Sequence, residues 1–248
     1  MWIVKTSVAT AFLCIVFGPF GAFCVAWAFI FVERTEFLSA VVAFGFALFT
    51  LGLVVMLATV AMRKVTPRVT RDQGGVTVRP DRKVDGYQVA STLGAFVSMA
   101  IYAIFAPLDM IDIAVPRGNE RYLVIVCAAA VLLGLFSLRQ IIRRRGTSYL
   151  RMTTDGIEVG NTLTSVERSW DDVADIADRP PKARHRTGTT YITTADGRTR
   201  VLPSDWYTPG GHALRESLCF YWRHPEHREE LADGRAVERL DAQFRDAK

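Results

Sequence analysis

Four long apolar stretches fill the first part of the chain, and short alternating runs fill the rest. No Asp, Glu, Lys or Arg interrupts residues 6–32, 37–62, 86–108 or 122–138. At about 1.5 Å of rise per residue, roughly 20 apolar residues cross the hydrocarbon of a bilayer. The fourth run is shorter, but Arg121 and Arg139 flank it with stems that extend along apolar surface while their charges reach the headgroups. The pattern therefore predicts four transmembrane helices at about 6–32, 37–62, 88–108 and 121–142. Helices are expected because lipid offers backbone groups no partner, and the runs lack the alternation of a barrel strand. Ala90 and Gly94, Gly94 and Ser98, and Ala130 and Gly134 recur at four-residue spacing, which predicts close helix packing. Gly18-Pro19 and Gly21 predict a kink in the first span.

Beyond Gly146 the period changes to that of strands. Residues 149–153 alternate, Asp155-Gly156 marks a tight turn, and residues 157–159 begin a second strand. Further strands are expected at 165–170, 173–177, 189–194 and 199–202, with a turn at Asp196-Gly197, giving a sheet of about six strands. A helix is expected from near Gly211, carrying Ala213, Leu214, Leu218 and Tyr221 on one stripe that closes the sheet. Pro225 ends it or forces a restart. A last amphipathic segment with Leu231, Val237, Leu240 and Phe244 packs on its own domain or binds a partner helix. Between the second and third spans, Gly74-Gly75 precedes the strand-like Val76-Thr77-Val78. Residues 69–78 loosely echo residues 152–159, as a reduced repeat or by chance. Two strands alone are marginal in water, so this hairpin is expected to dock on the C-terminal domain. The fold class read from the pattern is an α+β membrane protein. Residues 1–146 form a four-helix transmembrane region with a cytoplasmic hairpin-like loop at 63–87, and residues 147–248 a cytoplasmic β domain with a helical tail.

The chain of 248 residues is 50% hydrophobic and 22% charged, as a membrane part joined to a water-facing part should be. Cations set its expected orientation. Arg63, Lys64, Arg68, Arg71, Arg79, Arg82 and Lys83 follow the second span, and Arg139, Arg143, Arg144 and Arg145 end the fourth; the opposite side holds only Arg34, Arg117 and Arg121. Both termini are thus expected in the cytoplasm of a multi-pass plasma-membrane protein. The first run is too long for a signal-peptide core and lacks a small-residue cleavage site. The basic excess reads as orientation and contact with anionic lipid rather than nucleic-acid binding. Cys14, Cys24, Cys127 and Cys219 form no C-x-x-C pair, which argues against a zinc site or a disulfide framework.

The run Tyr149-Leu150-Arg151-Met152-Thr153-Thr154-Asp155-Gly156-Ile157-Glu158-Val159, followed by Ser169-Trp170-Asp171-Asp172-Val173-Ala174-Asp175-Ile176, resembles the start of the bacterial pleckstrin-homology-like (PH-like) domains of small actinobacterial membrane proteins. The stretch from Phe220-Tyr221-Trp222-Arg223-His224-Pro225 to Leu231 is similar to a tail seen in the same proteins. The resemblance covers roughly residues 147–233. It implies a curved antiparallel β structure capped by a helix, and it implies no catalytic residues.

Candidate chemistry is sparse. His224 and His227 with Glu226, Glu229 and Glu230 lack the His-Glu-x-x-His spacing of a zincin, and the intervening proline spoils helical geometry. Gly210-Gly211 has neither a P-loop nor a dinucleotide fingerprint around it. No Gly-x-Ser-x-Gly elbow or Ser-His-Asp set emerges, so no catalytic, cofactor or metal residues are assigned. Asp109 and Asp112 would share a face if the third helix continued, which opens a second reading as an oligomeric transporter or channel subunit; Pro107 and Pro116 favour a hydrated connection instead. The strongest feature is the basic connection from Arg179 through Lys182, Arg184 and Arg186. It is expected to face an anionic lipid headgroup or an acidic protein partner, at about 1 kcal/mol per cation near an anionic leaflet. A non-enzymatic binding or scaffolding protein is the leading expectation.

Overall fold

The computed structural model describes residues 4–72, 74–113, 118–144, 146–162, 164–179 and 188–246. Its contacts divide the chain into two compact units. One comprises residues 9–58 and 86–145; the other comprises residues 1–8, 59–85 and 146–248. The division is therefore not linear at residue 146. The connection between the second and third helices belongs with the C-terminal part.

The helical unit contains α1 (Val4–Glu33), α2 (Phe37–Ala61), α3 (Arg82–Phe105, begun in the other unit) and α4 (Glu120–Arg144). All four are long and apolar enough to cross a membrane. Phe12, Ile15, Phe29, Phe44, Ile125, Leu133 and Phe136 all lie on the outside, more exposed apolar surface than water favours. The inside is built from small residues. A Cβ on Gly45 would meet Ser98 Oγ at 2.1 Å and Gly94 O at 2.7 Å, and one on Gly52 would meet Ser91 Oγ at 2.3 Å. Helices α2 and α3 thus touch along their backbones, and the Ser98 hydroxyl donates to Val42 O across the seam (2.9 Å). Gly134 similarly admits Phe96, so Gly94, Ser98 and Gly134 do pack as their spacing predicts. Helix α1 continues through Pro19 without interruption.

Helix α3 begins earlier than the expected span because Asp81 caps it: its carboxylate accepts the Lys83 N–H (2.7 Å). It stops at Phe105, just before Pro107, and residues 106–108 form a single 3₁₀ turn.

The second unit is antiparallel β structure with helices. Strands β1 (Arg68–Asp72), β2 (Gly75–Arg79), β3 (Tyr149–Thr153), β4 (Gly156–Gly160) and β5 (Ser165–Ser169) form one sheet in chain order, and β6 (Val173–Ala177), β7 (Thr190–Thr194) and β8 (Thr199–Leu202) form another. The six expected strands are present but split three and three, because the 3₁₀ turn Trp170–Asp172 redirects the chain between β5 and β6. The central hairpin docks by pairing. Val76 lies opposite Met152, Thr77 opposite Arg151 and Val78 opposite Leu150.

Helices α5 (His212–Arg223), α6 (Glu229–Asp233) and α7 (Arg235–Asp246) complete the unit. Ala213, Leu214, Leu218 and Tyr221 are all buried, in one core with Val76, Val78, Leu150, Met152, Ile192 and Leu202 from the two sheets. The last amphipathic segment packs on its own unit through Leu231, Ala236, Leu240 and Phe244. It is two helices rather than one, broken at Gly234, whose φ of 92° an L side chain rarely adopts.

Candidate functional site

The end of the β unit through which the chain leaves for the helices carries a polar cluster absent from the sequence reading. The Asp85 carboxylate accepts from Arg68 Nη2 (2.9 Å), Thr147 N (2.8 Å) and Thr147 Oγ1 (2.6 Å). One turn earlier, Asp81 accepts from Thr66 N and Thr66 Oγ1 (both 2.8 Å) in addition to its capping bond. Burial opposes the Asp81 charge, but the N–H groups of Lys83 and Thr66 and the Thr66 hydroxyl hold its carboxyl below the usual value. Beside them Ser148 and Tyr207 share a buried hydrogen bond (2.6 Å), and burial raises the Tyr207 hydroxyl well above its ordinary pKa. Three separated segments are thereby tied together: 66–68, 81–85 and 147–148. The signals were a Pro-Asp pair ahead of an apolar helix and a Thr-Ser pair behind one, too short to be read without the pairing of β2 with β3.

The basic connection joins β6 to β7. Arg179 is exposed at its start, while Lys182, Arg184 and Arg186 lie outside the described residues. Its far root is described. Gly188 O accepts the Asp205 N–H (2.8 Å), and the next residue, Trp206, accepts the Asp81 N–H through its carbonyl (3.2 Å). The basic connection therefore returns at the end of the unit where α3 begins. Arg63, Lys64, Arg82 and Lys83 are exposed, and none forms an ion pair with another described residue. Asp205 packs half-buried against Gly188, and desolvation pushes its pKa up to about 6, against partial relief from its own N–H and that of Trp206.

The histidine cluster resolves into separate contacts. His224 Nδ1 lies 3.0 Å from Glu226 Oε1, and His227 Nδ1 lies 2.9 Å from Glu230 Oε1, which also accepts from Arg239 (2.9 Å). Both rings lean on Phe220, at 5.0 and 5.2 Å between centroids, and the Arg239 guanidinium sits 4.6 Å from the same ring. Among the described residues no three His, Cys, Asp or Glu side chains are grouped to hold a metal ion. The Trp170 indole donates to Thr153 O (2.9 Å), and Arg228 lies 5.1 Å over its ring while donating to the carbonyls of Tyr221 and Trp222. The two segments that carry the family resemblance thus touch. Gly211, the residue before α5, is buried against Ser204 and the Gly188 carbonyl. Asp109 and Asp112 are exposed and lie beyond the end of α3. Asp109 is left-handed (φ 54°), and the Asp112 N–H donates to Ser39 Oγ.

No family model, curated protein or solved structure matches the chain.

Proposed function

We propose that this chain is a non-enzymatic, membrane-anchored binding or scaffolding protein, inserted through α1 to α4, whose PH-like β unit meets anionic lipid headgroups at the cytoplasmic face of the plasma membrane. The observation that carries the reading is the hydrogen-bonded path Gly188 to Asp205, Trp206 to Asp81, which brings the root of the basic connection to the start of an apolar helix. A helix that enters a membrane at Arg82 leaves the residues around it at the headgroups, within one Debye length of anionic lipid, about 8 Å at physiological salt. Exposed Arg63, Lys64, Arg82 and Lys83 add charge of the same sign there. Two antiparallel sheets followed by α5, with Leu214, Leu218 and Tyr221 in their core, fit the helix-capped β structure that the resemblance implies.

The test uses the full chain in nanodiscs, neutral or containing phosphatidylglycerol, read by hydrogen exchange across residues 178–189. Protection is expected only with the anionic lipid, to weaken as salt rises, and to vanish when Arg179, Lys182, Arg184 and Arg186 are all changed to Ala. Equal exchange in the two lipids would overturn the headgroup reading and send the search to acidic protein partners.

A further inference from the structure

The described residues of the helical unit line a half-open cavity of about 590 Å³ where α3 ends and α4 begins. That is the size of a small-ligand site. Ile111, Ile113, Val124 and Ile125 give it an apolar side, and the exposed Asp109, Glu120 and Arg121 make the rest of its lining polar. Tyr102, 5% exposed, lies among the lining residues.

Two features of these exposed rim charges bear on what the cavity could hold. Two acids and one base line a single cavity, yet none of them forms an ion pair with another described residue. Arg121 also stands in the first turn of α4, where the helix dipole disfavours a cation. Opposite charges that leave each other unpaired beside the apolar side of a half-open hollow complement a ligand that is itself a dipole with a hydrophobic body. We propose that this cavity binds a zwitterionic phospholipid with a primary ammonium, such as phosphatidylethanolamine. Arg121 takes the phosphate, Asp109 and Glu120 take the ammonium, and an acyl chain lies along Ile111, Val124 and Ile125. A primary ammonium offers three N–H donors to two carboxylates, whereas a quaternary one offers none. The apolar side favours the lipid over its free headgroup, because the acyl chain packs along Ile111, Val124 and Ile125 and the headgroup alone cannot.

The experiment is native mass spectrometry of the delipidated full chain in mild detergent, titrated in turn with phosphatidylethanolamine, phosphatidylcholine, phosphatidylglycerol and glycerophosphoethanolamine. One phosphatidylethanolamine is expected to bind about tenfold more tightly than the other two lipids, the scale of one lost charged hydrogen bond, and the chain-free headgroup not at all. R121Q, and D109N combined with E120Q, should each bring phosphatidylethanolamine down to the level of the others. Asn tolerates the left-handed backbone at position 109, so that change tests charge rather than fold. Ala106→Trp, which fills the cavity, should abolish the selective site, with gel filtration confirming an intact particle. The variant lacking the four cations of the basic connection should bind as wild type, which separates this site from the one proposed above. Equal binding of the three lipids, unchanged selectivity in the charge variants, or binding of the headgroup alone would each overturn the proposal.

Discussion

Single residues in this chain do jobs that their type suggests only when the surroundings are known. Gly156 and Gly197 both follow an Asp and both read as turn glycines. Gly197 is one, with φ of 76°. Gly156 instead opens β4 and is small because a Cβ there would meet Arg168 O at 2.1 Å, so close approach of β5 is what requires it. Asp205 looks like any surface aspartate, yet it is half-buried and desolvation raises its pKa from 3.8 to about 6. The folded state therefore holds this proton more tightly than the unfolded chain. The resulting stability is fully present below about pH 4 and is lost as pH rises through 6, amounting to no more than about 3 kcal/mol at 1.36 kcal/mol per pKa unit. Asp205→Asn keeps an acceptor oxygen for the same N–H groups and removes the charge. It should raise the melting temperature at pH 7 and flatten the decline between pH 4 and 7, followed by tryptophan fluorescence in detergent. An unchanged decline would assign the pH dependence elsewhere.

At the scale of elements, the strands and α5 were legible because each carries its own period, and the four apolar helices because each is an uncharged apolar run of membrane-spanning length. Strands β3, β6 and β8 begin and end where alternation and turn residues put them. The partition into two sheets was not legible, since it depends on a three-residue turn around Trp170 whose packing partners are distant in sequence. Neither was the extent of the β unit, because its first two strands lie before α3. That arrangement makes a fragment from residue 147 onward incomplete. It would lack Val76 and Val78, both fully buried, and would leave the edge of β3 unpaired. Such a fragment is expected to aggregate. Residues 64–80 joined through a flexible Gly/Ser linker to residues 146–248 should restore a monomer with a cooperative melt, as gel filtration and circular dichroism would report. A well-folded monomer from residue 147 alone would show that β1 and β2 are dispensable. Candidate-site residues were the least legible of all: the basic connection stands out as a charge run, but Asp81, Asp85 and Thr147 become a cluster only once β2 has found β3.

For the whole molecule, that same pairing constrains how the chain can lie across a bilayer. Residues 75–78 and 150–153 are hydrogen-bonded neighbours in one sheet, so they must share a side of any membrane the helices enter. The number of crossings between them is then even, and α3 and α4 supply two. Helices α1 and α2 supply another pair, which brings the N-terminus to the same side. From the cation bias, that side is predicted to be the cytoplasm. The prediction is tested in a chain whose four native cysteines are replaced, with single cysteines at Arg34, Gly118, Asp72 or Asp196, all exposed positions. Asp72 gives up a surface ion pair with Arg151, an interaction of a kind worth little to stability. In intact cells an impermeant maleimide should label Arg34→Cys and Gly118→Cys, and should label Asp72→Cys and Asp196→Cys only after permeabilisation. Labelling of the last two from outside would invert the orientation and remove the cytoplasmic headgroup reading while leaving the sheet intact. Labelling of Asp72→Cys and Asp196→Cys from opposite sides would be incompatible with β2 pairing to β3, and the β unit itself would have to be abandoned.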